Sequence, residues 1–589
     1  MTIEAKYDPL LFKLPKGVIT KSTNVKFDIQ YSGDEPERVY FMVKSDEDLE
    51  YQYLEMQKTQ NGYSIEHFFE FSGHFWYNFQ IILNGNCFYL NKTPDFRSAL
   101  SSEKGEDFLQ LVTSEEYKCT NSMQGGIIYQ IFVDRFCKIG EVKERSPLVL
   151  RRDWGGAIKK NTDDPLKINL EVFGGNIKGI TSKLDYIKEL GTTKIYLSPI
   201  SQANSNHKYN TADYMKIDDM FGTEEDFKEL VNEAQKRDIG IVIDGVYNHT
   251  GSDSIYFDKE SRFRTLGAFE SRESQLYDWY EFEEFPNKYK CWWGINTLPS
   301  INRNSEDFQD FIAGDRGVLE KYLNLGISGV RLDVVDEITD KFVKKIEKKI
   351  HEFGKDKVVL GEVWEDAAIK QSYGKRRKYF ANNELNSVMN YPFKESILDY
   401  IKTKNTFSLE STIRMLENNY PKVVKDNLMN FLTTHDTKRV FSELVAHFNN
   451  DEEIAKKVYK IALVLLYTLP GVPSIFYGDE YGMQDNDGSS RGCFDWKAYK
   501  NDIYEFVLKL SKIRQLSVFK DGEIKVLNTD DGQFSFERVN GKERVIVITN
   551  LSNNPLGLNF NGNYIDFFTG QKAGNQILNE NEFRIIIEK

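Results

Sequence analysis

Eight short apolar runs, each followed by a stretch with helical spacing, constrain this chain more than any other feature. The runs lie at 127–133, 194–198, 240–244, 329–333, 358–362, 387–390, 428–433 and 473–477. The stretch 340–352 illustrates what lies between them. Phe342, Val343, Ile346 and Ile350 recur at helical spacing, Asp340 is placed to cap the start and Gly354 to end it. Eight strand-then-helix units predict a (β/α)8 barrel. A doubly wound open sheet is the alternative, but no glycine-rich phosphate loop follows the first run.

The flanks read differently. Residues 1–118 are expected to form an N-terminal β-sandwich, because Val25, Phe27, Ile29 and Tyr31 alternate with polar residues and no helical periodicity interrupts them. The polar stretch 95–118 reads as a linker at its end. Residues 119–518 are then the barrel, with an irregular insertion at 250–305 rich in Tyr, Trp, Phe and Glu; insertions of that length are commonly functional. Alternating strands return over 519–589 and predict a second β-sandwich.

The chain carries 77 Lys and Arg against 90 Asp and Glu, with no basic tract, which argues against a nucleic-acid partner. No window is apolar for 18 residues, so no membrane span is expected. The start has no secretion-signal pattern, and Cys87, Cys119, Cys137, Cys291 and Cys493 show no CxxC pairing. Both point to a cytoplasmic protein with free thiols.

Barrel strands bring their carboxyl-terminal ends to one face. Within 329–333, Arg331 and Asp333 stand two residues apart and share a side of the strand. Alone, such a pair is equally a structural ion pair or an ionised nucleophile beside its cation. Other strand ends add Glu362, Asp436 with His435, His249 after Asp244, and His207 with Tyr209. Carboxylates on one rim repel, so one of them should hold a proton. Glu362, followed by Val363 and Trp364, is the expected acid, and Asp333 the expected anion. A retaining glycosidase needs that division, with carboxyls about 5–5.5 Å apart.

These motifs resemble the α-amylase superfamily, family thirteen of the glycoside hydrolases. The four hallmark regions match DGVYNH (244–249), GVRLDVVDE (329–337), GEVWED (361–366) and TTHDTKR (433–439). Further matches are Tyr129-Gln130-Ile131-Phe132 through Arg135-Phe136, and the stretches 173–180, 298–302 and 471–480. The resemblance covers about 120–589. It implies Asp333 as nucleophile, Glu362 as acid/base and Asp436 as transition-state stabiliser. Arg331, His249 and His435 would support them, His207 and Tyr209 would form the first sugar subsite, and Asp487 with Arg491 the donor-side clamp. The run 205–213 and the Glu362-Val363-Trp364 triplet are most similar to neopullulanases, cyclomaltodextrinases and amylopullulanases. Trp364 would be an acceptor-side platform, and 288–294 could supply another.

The resemblance therefore implies a retaining hydrolase of α-1,4 bonds in malto-oligosaccharides, pullulan or cyclodextrins, with α-1,6 cleavage included. A debranching pullulanase and an α-glucosidase are the alternatives on this scaffold. A non-catalytic sugar-binding relative would lack one of the three carboxylates, and all three are present. Asn210 stands where the family has Asp, Arg303 where Glu is common, and Gly488 replaces a Pro. The Asn-Gly-Asp calcium loop is absent after Phe136. No cofactor is expected to be required; Asn248 is the single candidate calcium ligand. The N-terminal domain is expected to pack on the barrel or to mediate a homodimer, with glucan binding as the alternative.

Overall fold

The computed structural model describes residues 2–115, 117, 123–158, 169–263, 265–541 and 543–588. The expected boundary at 118/119 and Cys119 lie outside the described residues. Eight parallel strands form the barrel: β1 Ile128–Ile131, β2 Lys194–Leu197, β3 Gly240–Gly245, β4 Gly329–Leu332, β5 Val358–Gly361, β6 Ser387–Val388, β7 Met429–Phe431 and β8 Val472–Phe476. They pair in the order β6-β5-β4-β3-β2-β1-β8-β7. A parallel bridge between Met389 and Met429 joins the two ends, so the sheet closes. Closure is what turns eight separate strand ends into one ring.

The strands are buried along both faces, as parallel strands between helices are. Their inward side chains include Ile128, Tyr196, Val242, Leu360, Met429 and Val472, which pack together as one core. Gly329 opens β4 because no side chain fits there: a Cβ would meet the Val358 carbonyl oxygen at 2.4 Å. The helix Asp340–Glu352 forms where its periodicity predicts. Its cap is Thr339, whose side chain accepts from the Phe342 N–H, so Asp340 lies in the first turn instead of capping it. The insertion is irregular, with the short 3-10 turns Tyr277–Trp279 and Trp292–Gly294 and a small hairpin.

The C-terminal part pairs a five-stranded antiparallel sheet with a two-stranded one, around Ile546, Ile548, Leu578 and Ile586. It is continuous with the barrel: Arg538 donates to the Thr468 carbonyl (3.0 Å), and Tyr400 OH meets Thr549 Oγ1 (2.8 Å).

The N-terminal residues form a five-stranded and a seven-stranded sheet around Val25, Phe27, Phe41, Tyr77 and Phe79. Here the linker expectation fails. Phe108–Thr113 is a fully buried strand paired on both sides, to Gly73–Leu83 and Ile19–Thr20. Its Gln110 misled the reading; that amide is satisfied inside by the buried Lys13 Nζ (2.8 Å). The compact unit containing this sandwich also takes in 365–386 and 405–426. Ion pairs within it include Arg414 Nη2 to Asp8 Oδ1 (2.7 Å) and Arg97 Nη2 to Glu410 Oε1 (2.7 Å).

Candidate active site

Arg331 is the centre of the site. It is completely buried on β4, and such a cation persists only where anions surround it. Its Nη1 donates to Asp244 Oδ1 (2.8 Å) and to Asp333 Oδ1 (2.8 Å), and its Nη2 lies 2.9 Å from Glu362 Oε2. One guanidinium thus holds carboxylates from the ends of β3, β4 and β5. Asp244 also accepts from Tyr196 OH (2.6 Å) and Tyr209 OH (2.7 Å).

The chain turns sharply after Asp333. Val334 has φ 36° and ψ 55°, a left-handed conformation that a β-branched residue adopts only under strain. The turn aims the Val334 N–H at Glu362 Oε2 (2.8 Å), while Trp364 Nε1 donates to Glu362 Oε1 (3.1 Å). The acid candidate is therefore held from both ends.

Burial pushes the Asp333 carboxyl well above the usual carboxylate range; Arg331 opposes this, and Glu362, Asp244 and Asp436 reinforce it. Asp333 in the free site is therefore driven by its burial towards the protonated form. One cation cannot neutralise three carboxylates packed on it.

Asp436 is different. Burial alone would raise it, but His435, Arg491 and Arg331 outweigh burial and lower it. Burial holds His435 neutral, its pKa lowered to about 4. The cation that keeps Asp436 ionised at neutral pH is thus Arg491, whose Nη2 lies 3.1 Å from Oδ1. His435 Nε2 lies 3.0 Å from Asp436 Oδ2 and 2.6 Å from Tyr209 OH.

Tyr209 lies parallel to His435, with ring centres 5.3 Å apart, and the His207 ring lies 5.9 Å from that of Tyr209. His207 is held neutral by burial. Its Nδ1 accepts from the Tyr209 N–H (3.1 Å), leaving Nε2 to carry the proton. His249 reaches the Tyr209 carbonyl through Nε2 (3.1 Å) and stacks on Trp292 at 5.2 Å. Trp364 is 50% exposed and lies flat on Tyr391, with ring centres 4.3 Å apart, a platform directly beside Glu362. Trp293, in the insertion, is 82% exposed.

The structure thus assembles Asp333, Glu362, Asp436, Arg331, His207, Tyr209, His249, His435, Trp364 and Arg491 around one rim. Asp487 stands exposed on the turn bridged by Asn486 and Ser489. Arg491 binds Asp436 and, through Nε, the His435 carbonyl (2.8 Å). Asn248 Oδ1 is buried without a hydrogen-bond partner among the described residues, the kind of oxygen a cation takes. Calcium needs six to eight oxygens. Among the described residues no group of three Asp, Glu, His or Cys is placed to hold a metal. Sequence reasoning assigned no role to Asp244, Tyr196, Val334 or Gln130. Asp244 was visible at the end of β3; the others act through contacts between strands.

A closed barrel that gathers three carboxylates, a buried arginine and neutral histidines at its strand ends is a glycoside hydrolase scaffold. The chain belongs to the alpha-amylase family: the model of its catalytic domain matches residues 130–515. It is 30% identical to the amylopullulanase of Thermoanaerobacterium saccharolyticum over 91% of this chain and 46% of that one. It is also 30% identical to the cyclomaltodextrinase of Geobacillus thermopakistaniensis, over 75% of this chain and 72% of that one. The chain spans less than half the length of the amylopullulanases it matches. The type III pullulan hydrolase from Thermococcus kodakarensis shares the fold over the whole of both chains, with a TM-score of 0.69 at 24% identity. Among the described residues no helix is long and apolar enough to cross a membrane.

Proposed function

We propose that this chain is a retaining α-glucan hydrolase that cleaves α-1,4 bonds of malto-oligosaccharides, pullulan or cyclodextrins and admits α-1,6 branches. The observation that carries the reading is the single guanidinium of Arg331 binding both Asp333 and Glu362. That contact supports Asp333 as the nucleophile and Glu362 as the acid, because one cation holds both carboxyls from adjacent strands.

In the first step Asp333, ionised, attacks the anomeric carbon as the glycosidic C–O bond breaks. Glu362 delivers its proton to the leaving oxygen, and a glycosyl ester of Asp333 forms. In the second step Glu362 takes a proton from water; the water oxygen attacks the anomeric carbon, and Asp333 leaves. Two inversions retain the configuration. Burial favours a protonated Asp333 in the free site, so binding must favour its anion. A glycosidic oxygen seated beside Glu362 provides the acceptor, and sugar hydroxyls donating to Asp333 favour its anion. Asp436, kept ionised by Arg491, stabilises the positive charge that develops on the ring. The parallel Tyr209 and His207 rings bind the sugar before the cleaved bond.

The exposed Trp364, backed by Tyr391, supports the inclusion of branched and cyclic substrates, because a flat platform beside the acid does not dictate the linkage that lies on it. The same names recur among the relatives, which are cyclomaltodextrinases, neopullulanases and amylopullulanases. Product analysis on pullulan is the test. Panose is expected; maltotriose alone would replace the reading with a debranching enzyme, and no cleavage of any α-glucan would refute it.

A further inference from the structure

His435 meets groups with opposite demands on its two nitrogens. On one side Nε2 faces Asp436 Oδ2 at 3.0 Å and Tyr209 OH at 2.6 Å. Tyr209 has already given its proton to Asp244 Oδ2, so its oxygen accepts. Both atoms before Nε2 are then acceptors, and a neutral ring must carry its proton there. On the other side Nδ1 faces the side-chain amide of Gln130, with Nε2 of that amide 3.0 Å away. Gln130 lies on β1 and is 1% exposed. An amide N–H there satisfies a bare Nδ1. The amide oxygen there would require Nδ1–H, and a neutral ring would then present a lone pair to the Asp436 carboxylate. Gln130 Oε1 is buried without a hydrogen-bond partner among the described residues. The amide forgoes one hydrogen bond in keeping its N–H on His435.

We propose that Gln130 is a positioning residue: it sets which nitrogen of His435 carries the proton and so aims His435 Nε2–H at Asp436. The charged groups around that ring are Asp436, Arg491, Arg331 and Glu362; neutral His207 and Tyr209 stack behind it. From β1 it meets Gln130, and just beyond that strand the Phe132 ring, at 6.3 Å. The amide that reads Nδ1 is uncharged. A carboxylate in its place would hold a proton on Nδ1 and convert the ring to an imidazolium. Asp436 would then face a second cation beside Arg491, and the charge available to stabilise the reacting sugar would fall.

The effect on rate rests on the role proposed for Asp436; the tautomer does not, so the two fail separately. Nitrogen NMR of 15N-histidine enzyme, with His435 identified by the spectrum of the His435→Asn variant, reads the tautomer without substrate. The expected result is a neutral ring protonated on Nε2 from pH 8 to pH 5. Gln130→Glu is expected to give an imidazolium at neutral pH. Gln130→Met, which has no donor, is expected to lose the tautomer preference and lower kcat on the order of 10-fold, as outer-layer partners of reactive groups do, with KM changed less than twofold. A ring protonated on Nδ1 in the unaltered enzyme would overturn the proposal, and so would an unchanged spectrum in both variants. An altered spectrum with unchanged kcat would leave the tautomer assignment standing and refute the role of Asp436.

Discussion

Replacing Asp333 with Asn should abolish activity and stabilise the fold, and the two effects share one cause. Arg331 is flanked by three carboxylates, and Asp333 is the one that burial and its neighbours hold above the ordinary range. A carboxyl raised in this way contributes stability in full below its unfolded pKa, near 4, and loses it as pH rises towards its folded value. Each pH unit in that interval costs about 1.4 kcal/mol. Asn keeps an oxygen for Arg331 Nη1 and carries no charge, while Asp244 and Glu362 still neutralise the guanidinium. The variant is therefore expected to be more stable at pH 7 by about 1–3 kcal/mol, a few degrees in Tm. The gain should shrink towards pH 4, where Asp333 is protonated in both folded and unfolded chains. Thermal unfolding of both proteins from pH 4 to pH 8 reads the difference directly. Hydrolysis should fall about 10^4-fold. A variant less stable at pH 7 than at pH 4, relative to the unaltered protein, would refute the electrostatic account of the site. Retained hydrolysis would refute the nucleophile.

Glu362→Gln is expected to lower kcat by orders of magnitude on glucans but much less on an α-glucosyl fluoride, whose leaving group needs no proton; equal losses on both would exclude Glu362 as the acid. Trp364→Ala removes the platform on Tyr391 and should raise KM for pullulan more than for maltotriose, as steady-state kinetics on the two will show. Arg491→Met removes the cation at 3.1 Å from Asp436. The lowered carboxyl should rise, so the acid limb of the pH–rate profile moves to higher pH; a profile that stays in place contradicts the pairing. Dialysis against EDTA should leave Tm and activity unchanged, because among the described residues no group of three acidic, thiol or imidazole ligands accompanies the orphan oxygen of Asn248; a loss restored by calcium would show otherwise.

The sequence by itself determined the barrel and most of the residues that meet on its rim. Strand and helix periodicities are local, and residues two apart on a strand must share a face, so Arg331 and Asp333 were paired before any fold was known. Motif order then placed Glu362, Asp436, His435, His249, His207 and Tyr209 on the same rim. Three things needed the tertiary structure. Phe108–Thr113 became a central strand and not a linker, because partners distant in the chain bury both its edges and Lys13 satisfies its Gln110. Arg491, read from the sequence only as part of a sugar clamp, proves to hold Asp436. Asp333, read from the sequence as the ready anion, is raised by burial. That last effect depends on how many carboxylates share one buried arginine. Such counts arise from strands that closure brings together, and no local pattern carries them.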